Sequence, residues 1–163
     1  MNPNIRAFEV RDLPQMREIW NEVVKDAVAF PQKEPLQDDR EAEDFFAEQS
    51  FTGVLEDAGE IKGLYILHPN NVGRCGHISN ASFAVKSSYR GKKAGGQLVR
   101  HSLQKAKELG FRLMQFNAVV SSNLPAIHLY EKIGFQRLGT IPGGFQMGDG
   151  TYSDIVLFYI VLV

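Results

Sequence analysis

The segment from Phe83 to Gly96 contains the residues whose types and spacing most clearly indicate chemistry. It reads Phe-Ala-Val-Lys-Ser-Ser-Tyr-Arg-Gly-Lys-Lys-Ala-Gly-Gly, which is typical of a strand, a short basic loop and a helix that opens with glycines. The first N–H groups of a helix have no partners inside it, so they are free to bind an anion. Glycines let a ligand approach the backbone closely, and basic side chains add positive charge. The segment therefore predicts a site for a phosphate-bearing cofactor, formed by Arg90, Gly91, Lys92, Lys93, Ala94, Gly95 and Gly96.

A second segment, which begins at Asn123, reads Asn-Leu-Pro-Ala-Ile-His-Leu-Tyr-Glu-Lys-Ile-Gly-Phe. Together the two segments resemble the signatures of the GCN5-related N-acetyltransferase (GNAT) family. The family's phosphate loop has the frame Arg/Gln-x-x-Gly-x-Gly/Ala, and Arg90 opens that frame here, with Lys93 where the family usually has glycine. The family's second signature, Asn-x-x-Ala-x-x-Leu-Tyr-x-Lys-x-Gly-Phe, matches at Asn123, Ala126, Leu129, Tyr130, Lys132, Gly134 and Phe135. The resemblance covers roughly residues 77–145.

The resemblance implies acetyl-CoA as the cosubstrate, with its pyrophosphate on the glycine loop. The thioester arm would run beside the preceding strand, and the N–H of Val85 would polarise the thioester carbonyl. Tyr130 would protonate the departing thiolate, although its helix face also suits core packing. Asn123 would cap its helix and reach the pantetheine arm. The cofactor-binding residues implied outside the loop are Phe83, Ala84, Val85, Asn123, Tyr130 and Lys132.

Two strand asparagines, Asn80 and Asn117, are candidates for contact with the acceptor. An amide among apolar strand neighbours is costly unless it is hydrogen-bonded, so each asparagine needs a partner or a ligand. Their segments, Gly-Arg-Cys-Gly-His-Ile-Ser-Asn and Phe-Asn-Ala-Val-Val-Ser-Ser-Asn, resemble those of fungal enzymes that acetylate proline analogues such as azetidine-2-carboxylate. By that resemblance Asn80 and Asn117 orient a small amino-acid-like amine or its carboxylate; the alternative is a pair of structural asparagines. The general base is either His77 or a water relay.

Composition limits the class of protein. The chain has 163 residues and a formal net charge of −1, which predicts one domain over residues 1–163 and argues against a nucleic-acid partner. Cys75 is the only cysteine, so no internal disulfide forms. We expect no metal site, because metal-binding motifs are absent. The N-terminus lacks a signal-peptide core, and the longest apolar run, Ile155–Val163, is too short to span a membrane. These features predict a cytoplasmic protein with no membrane partner.

The pattern of apolar residues predicts an α/β (α+β) fold, in which a mixed, mostly antiparallel sheet has helices on both faces. Asp12 is expected to cap the first helix and Pro14 to lie in its first turn. The region Pro142–Tyr152 is expected to be a flexible loop that closes over the acceptor. The predicted strands are Ile5–Val10, Phe51–Glu56, Ile61–His68, His77–Val85, Leu113–Val120, Gln136–Ile141 and Tyr152–Val163, and the later helices are Asp39–Gln49, Gly95–Leu109 and Asn123–Ile133.

These observations favour an enzyme that transfers the acetyl group of acetyl-CoA directly to a small-molecule amine, with an amino acid or an amino-acid analogue as the leading acceptor. Two alternatives remain. One is acetylation of a protein N-terminus, a lysine or a polyamine, and the other is a non-catalytic acyl-CoA-binding module. The family resemblance also suggests a homodimer, in which Ile155–Val163 would supply a sheet edge.

Overall fold

The computed structural model describes residues 3–163, which form one seven-stranded sheet and four α-helices. Short 3₁₀ turns lie at Val10–Asp12, Gly73–Cys75 and Ser87–Tyr89. The strands are β1 (Asn4–Ala7), β2 (Phe51–Asp57), β3 (Glu60–Pro69), β4 (Ile78–Val85), β5 (Leu113–Val120), β6 (Gln136–Gln146) and β7 (Tyr152–Val161), and the helices are α1 (Leu13–Asp26), α2 (Asp39–Ala47), α3 (Ala94–Glu108) and α4 (Leu124–Ile133).

The sheet has the strand order β1-β2-β3-β4-β5-β7-β6, and every neighbouring pair is antiparallel except β4 and β5. Two apolar cores lie on its two faces. Trp20 and Phe46, from α1 and α2, are buried on one face, and Leu98 and Ile127, from α3 and α4, are buried on the other. The mixed, mostly antiparallel sheet with helices on both faces confirms the predicted fold. No helix within residues 3–163 has the length and apolar character needed to cross a membrane.

The chain opens differently from the prediction. β1 ends at Ala7, and a 3₁₀ turn leads into α1. The Asp12 side chain does not cap α1. It instead accepts hydrogen bonds from the Arg6 guanidinium, at 2.8 and 3.0 Å, and from the N–H of Glu9 at 2.8 Å. Burial alone would raise the pKa of Asp12, but these bonds lower it below the usual value. The carboxylate therefore fastens the start of α1 to β1.

The end of the chain contains a second difference. The predicted loop from Pro142 is in fact strand as far as Gln146, and β6 pairs with β7 through two register shifts. Because β6 is an edge strand, it tolerates Pro142, whose missing N–H would break a ladder inside a sheet. The connecting turn is held to α1, since the N–H of Gly148 donates to the carbonyl of Ala27 at 3.1 Å. The prediction of a flexible loop over Pro142–Tyr152 is therefore wrong for its first half.

The predicted sheet edge is also misplaced. β7 lies between β5 and β6 and is hydrogen-bonded on both sides. Ile155–Val163 therefore does not provide an open edge, which belongs to β6 and, on the far side of the sheet, to β1. The homodimer remains a prediction.

Candidate active site

The site is created by the separation of two parallel strands. β4 and β5 are paired only at Ile78↔Leu113 and Ser79↔Met114, and beyond those residues they part. A cleft of about 220 Å³, here the central cleft, lies in the opening and is lined by both strands, by the chain after α1 and by α4. Asn80, Asn117, Asn123 and Tyr130 all line it. Four of the residues singled out in the sequence are thus brought together.

The backbone of β4 presents alternate residues to this opening. The N–H of Lys86 donates to Lys62 of β3 at 2.8 Å, whereas the carbonyl of His77 accepts from Arg112, on the β5 side, at 3.0 Å. Backbone groups in an antiparallel pair alternate in direction, so Phe83 and Val85 face the gap. Ala84 faces β3 and has its side chain buried against the α1 side of the sheet, so it does not lie at the opening.

The basic loop leads into the start of α3, where the first backbone N–H groups are free donors. The first helical hydrogen bond runs from the N–H of Gln97 to the carbonyl of Lys93, at 3.3 Å. The N–H groups of the three residues before Gln97 therefore precede the helical ladder and point out of the helix end. Arg90 lines an adjoining groove of about 550 Å³, here the Arg90 groove, which shares Phe83 and Asn123 with the central cleft. The Arg90 guanidinium lies 3.6 Å from the Asp26 carboxylate, which lines the same groove, so the free N–H donors at the helix end are the feature that suits a diphosphate.

The two sequence signatures meet where α3 begins beside α4. A Cβ atom placed on Gly95 or Gly96 would lie 3.6 or 3.4 Å from the methyl groups of Leu129. Asn123 caps α4, because its side-chain oxygen accepts from the N–H of Ala126 at 3.4 Å. The start of the helix in the first signature thus lies beside the helix of the second signature, at a distance where a Cβ atom would make an ordinary van der Waals contact.

Lys93, the departure from the family frame, adopts a left-handed backbone with φ of 63°. That conformation costs a residue with a side chain about 1 kcal/mol or more. Lys93 occupies the N-cap position of α3 in this conformation without a side-chain capping bond, and its exposed side chain brings a positive charge to the helix end. The loop therefore keeps the backbone shape that glycine would allow, at some cost in stability.

We expect the Lys93→Gly variant to have a free energy of unfolding within about 1 kcal/mol of the wild type, because the relief of strain is offset by the flexibility of glycine in the unfolded chain. The same variant should raise the KM for acetyl-CoA about threefold, since an exposed cation contributes modestly. Lys93→Asn, which tolerates the same backbone, should raise KM equally. Titration of activity against salt would check that the effect is electrostatic. A fall in KM in both variants would show that the lysine weakens binding.

Tyr130 lies between the aromatic core and the central cleft. Its ring centroid is 4.6 Å from that of Phe116 and 5.9 Å from that of Phe158. Its hydroxyl makes no hydrogen bond with another residue in the range 3–163. Every fully buried side-chain N or O atom in that range has a hydrogen-bond partner, so the hydroxyl is not fully buried and opens to the central cleft, which Tyr130 lines. Burial raises the pKa of Tyr130 above the ordinary value of 10.0. The phenol therefore keeps its proton at neutral pH and can donate it.

Other predicted residues lie away from the opening. His77 is exposed before β4 and does not line the central cleft, and Lys132 is exposed on α4. Tyr89, at the start of the basic loop, is buried, and its hydroxyl donates to Asp57 of β2 at 2.6 Å. This hydrogen bond raises the pKa of Tyr89 and fastens the start of the loop to the sheet.

Asn70 was not predicted and completes the site. It follows β3, and its side chain bonds to both Asn80 and Asn117. Asn117 itself lies in a β-bulge, where β5 shifts register against β7 between Phe116 and Val119. An extra residue in one strand re-aims its side chains, and Asn117 is exposed in a strand that is otherwise mostly buried or half-buried.

A third depression, here the turn groove, extends the central cleft on the α1 face of the sheet. It has a volume of about 500 Å³ and lies between the segment after α1 and the β6–β7 turn. Phe30 and Pro31 line both this groove and the central cleft. Its charged lining residues, among those that the structure describes, are Lys25 and Lys33. The Arg90 groove, the central cleft and the turn groove therefore adjoin in that order.

Known proteins are similar to this chain in sequence and in fold. The Acetyltransferase (GNAT) family profile matches residues 13–135. N-acetyltransferase aca1 of Schizosaccharomyces pombe is 33% identical over 108 residues, which cover 66% of this chain and about half (52%) of aca1. The L-methionine sulfoximine/L-methionine sulfone acetyltransferase of Pseudomonas aeruginosa is 29% identical over 171 residues, which cover 99% of this chain and 96% of that protein.

A solved structure shows the same fold. The phosphinothricin acetyltransferase of Sinorhizobium meliloti, in complex with acetyl-CoA, superposes with a TM-score of 0.89 at 21% identity and covers 99% of this chain and 89% of that chain. The match of the family profile over most of the chain agrees with the two signatures and with the parted strands. This chain therefore belongs to the GNAT family of acetyltransferases.

Proposed function

We propose that the protein transfers the acetyl group of acetyl-CoA to the amine of a small molecule, with an amino acid or an amino-acid analogue as acceptor. The observation that carries the proposal is the opening between β4 and β5, where a protonated Tyr130 and a pair of asparagines line one cleft, and where Arg90, from the loop before α3, lines the adjoining groove. Acetyl-CoA supplies the acetyl group as an activated thioester. The N–H groups of Ala94, Gly95 and Gly96, together with Arg90, would hold its diphosphate.

Direct transfer suits the residues of the cleft. The acceptor nitrogen attacks the thioester carbonyl, Val85 donates its N–H to the developing oxyanion, and the carbon–sulfur bond then breaks. Tyr130 gives its proton to the departing thiolate. Cys75, the only cysteine, is exposed and does not line the cleft, so an acyl-cysteine has no support here.

Among the described residues that line the cleft, no side chain is suited to act as the general base that removes the proton from the attacking amine. No histidine, aspartate or glutamate is among the described residues that line it. His77 is therefore a poor candidate for this role, and a relay to solvent suits the site better. An acceptor whose amine has a low pKa would need no dedicated base.

The choice of acceptor rests on charge and on the relatives. A polyamine or a lysine-rich peptide would meet Lys25 and Lys33 in the turn groove and no carboxylate among the described lining residues, so like charges disfavour both acceptors. The P. aeruginosa relative is named for two methionine derivatives, and the S. meliloti structure for phosphinothricin. Small amino-acid analogues therefore agree with both sets of observations.

The experiment that tests the proposal follows the release of free coenzyme A from acetyl-CoA across a panel of amines. The panel contains azetidine-2-carboxylate, proline, methionine sulfoximine, phosphinothricin, common amino acids, spermidine and short peptides. We expect turnover with one or more of the amino-acid analogues and none with spermidine. Tight binding of acetyl-CoA without turnover of any amine would favour a binding module, and turnover confined to peptides would favour a protein acetyltransferase.

A further inference from the structure

Four side-chain amides form one hydrogen-bonded cluster at the point where β4 and β5 part. Asn70 is at its centre. The Asn70 oxygen accepts from Asn80 at 3.2 Å and from Asn117 at 2.6 Å, and the Asn70 nitrogen donates to the Asn117 oxygen at 3.3 Å. Gln115 donates to the same Asn117 oxygen at 3.0 Å. The backbone N–H of Asn70 donates to the carbonyl of Ile78 at 2.7 Å, which fixes Asn70 beside β4.

The backbone determines which way each amide faces. The N–H of Ala81 can only donate, and it lies 2.8 Å from the Asn80 oxygen. The nitrogen of Asn80 must therefore face Asn70, so Asn70 must present its oxygen to Asn80. The nitrogen of Asn70 then faces Asn117, whose oxygen must accept its hydrogen bond. One backbone N–H thus sets the orientation of three side chains in turn.

The cluster consequently has spare donors and few spare acceptors. A carbonyl oxygen has two lone pairs, and the oxygens of Asn70 and Asn117 each accept two hydrogen bonds already. An amide nitrogen has two protons, and the nitrogens of Asn80 and Asn117 each use one inside the cluster. Both of these side chains line the central cleft, and Asn70 does not. The Asn80 oxygen accepts only from Ala81 and keeps one lone pair, so Asn80 and Asn117 together offer two spare N–H groups and one spare acceptor, a balance that favours the oxygens of a carboxylate over an ammonium group.

We propose that Asn70 is a positioning residue that holds Asn80 and Asn117 with their N–H groups toward the cleft, and so selects acceptor amines that carry a carboxylate. This inference rests on the proposed function and specifies its substrate class. Carboxylate oxygens accept two such bonds readily. The acceptor's carboxylate is then held beside the parting strands, and its nitrogen is directed toward the thioester. Replacing the carboxylate by an amide group weakens this contact, because a charged acceptor bonds more strongly than a neutral one.

The Asn70→Asp variant tests the inference. Aspartate keeps the shape of asparagine and still accepts from Asn80 and Asn117, but its second oxygen faces the Asn117 oxygen, where a donor is now missing. This repulsion displaces the Asn117 amide from its paired position, and the substitution itself places a negative charge behind the site. We expect the KM for azetidine-2-carboxylate to rise about tenfold or more, and the KM for azetidine-2-carboxamide to change less than about twofold. The KM for acetyl-CoA should stay unchanged.

A matched control stands one residue away. Asn71→Asp introduces the same charge, and the Asn71 oxygen accepts from the N–H of Val72 at 2.8 Å, a bond that aspartate also makes. This variant should keep the wild-type ratio of KM values for acid and amide. If Asn70→Asp fails to fold, as judged by thermal unfolding, Asn70→Ala removes the bridge without adding charge and should reduce the preference for the acid.

The outcomes separate this inference from the proposed function. If the wild type acetylates amines but uses the acid and the amide equally well, or if a folded Asn70→Asp keeps the wild-type preference, the inference is overturned and the proposed function stands. If the wild type acetylates none of the amines in the panel, both are overturned. A lost preference in Asn70→Asp, with the preference intact in Asn71→Asp, supports the inference.

Discussion

Replacement of Tyr130 by phenylalanine is expected to lower kcat about 100-fold, because the departing thiolate loses its proton donor. The KM for acetyl-CoA should change little, since the ring remains and only the hydroxyl is removed. Stability should also be retained. The ring packs against Phe116 and Phe158, and the hydroxyl makes no hydrogen bond with another described residue, so its loss leaves no partner unsatisfied. Steady-state release of coenzyme A, followed at saturating acceptor, measures the effect.

Tyr159→Phe is the matched control. Tyr159 lies on β7, and its hydroxyl donates to Gln136 at 3.0 Å at an exposed position. The same atom is removed there, outside the cleft, and kcat should stay at the wild-type value. An undiminished kcat in Tyr130→Phe would remove Tyr130 from the mechanism and would leave it the role of core packing.

The pH profile gives a second measurement on the same residue. Burial raises the pKa of Tyr130 above 10.0, and an acid catalyst works while it is protonated. The wild-type kcat should therefore not fall as the pH rises through 10, provided that the fold is intact. A decline centred at or below that pH would mean that the proton donor is a different group, or that the phenol is exposed to solvent.

The parts of the site that were predictable depend on local signals. The bounds of β5 match the prediction, and α3 and α4 begin within one residue of it, because glycine and asparagine mark helix ends by their own backbone preferences. Gly134, for example, ends α4 with φ of 119°. The proposed anion site follows from the same local rules, since any helix that begins after a glycine-bearing loop presents free N–H groups.

The amide cluster was not predictable in full, because it depends on register. Asn70 is ten residues before Asn80 in the chain and 47 before Asn117. It reaches both only because β3 and β4 pair at His68↔Asn80 and because β5 diverges after Met114. A polar residue at the end of a strand that pairs with the Asn80 strand was the available signal. The choice between ligand contact and structural pairing required the hydrogen bonds themselves.

The second large effect is expected at the start of α3, where Gly95→Asp should raise the KM for acetyl-CoA on the order of 100-fold. Two like charges brought together at a binding site cost several kcal/mol, and each 1.4 kcal/mol changes affinity about tenfold. The change is compatible with the fold. Gly95 does not have a positive φ, and a Cβ atom there meets only a methyl group of Leu129, at 3.6 Å.

This substitution distinguishes a loss of binding from a loss of stability, because it should weaken acetyl-CoA binding while it leaves the fold as stable as before or slightly more stable. A carboxylate in the first turn of a helix interacts favourably with the helix dipole by about 0.3–1 kcal/mol, and glycine is a poor helix former. Gly95→Asp should therefore unfold at the same temperature as the wild type or slightly higher, while it loses acetyl-CoA. A mutation that acted by destabilising the fold would lower both the unfolding temperature and the affinity for acetyl-CoA, so it could not imitate this result.

Gly139→Asp supplies the control in β6. Its Cβ atom meets nothing within 4 Å and its φ is not positive, so the same substitution is accommodated away from α3. Its KM for acetyl-CoA should equal that of the wild type. If Gly95→Asp also left KM unchanged, the free N–H groups at the start of α3 would not bind the diphosphate. The cofactor would then have to enter from another side. The proposed path of the thioester to Tyr130, which follows the Arg90 groove into the central cleft past Phe83 and Asn123, would also be wrong.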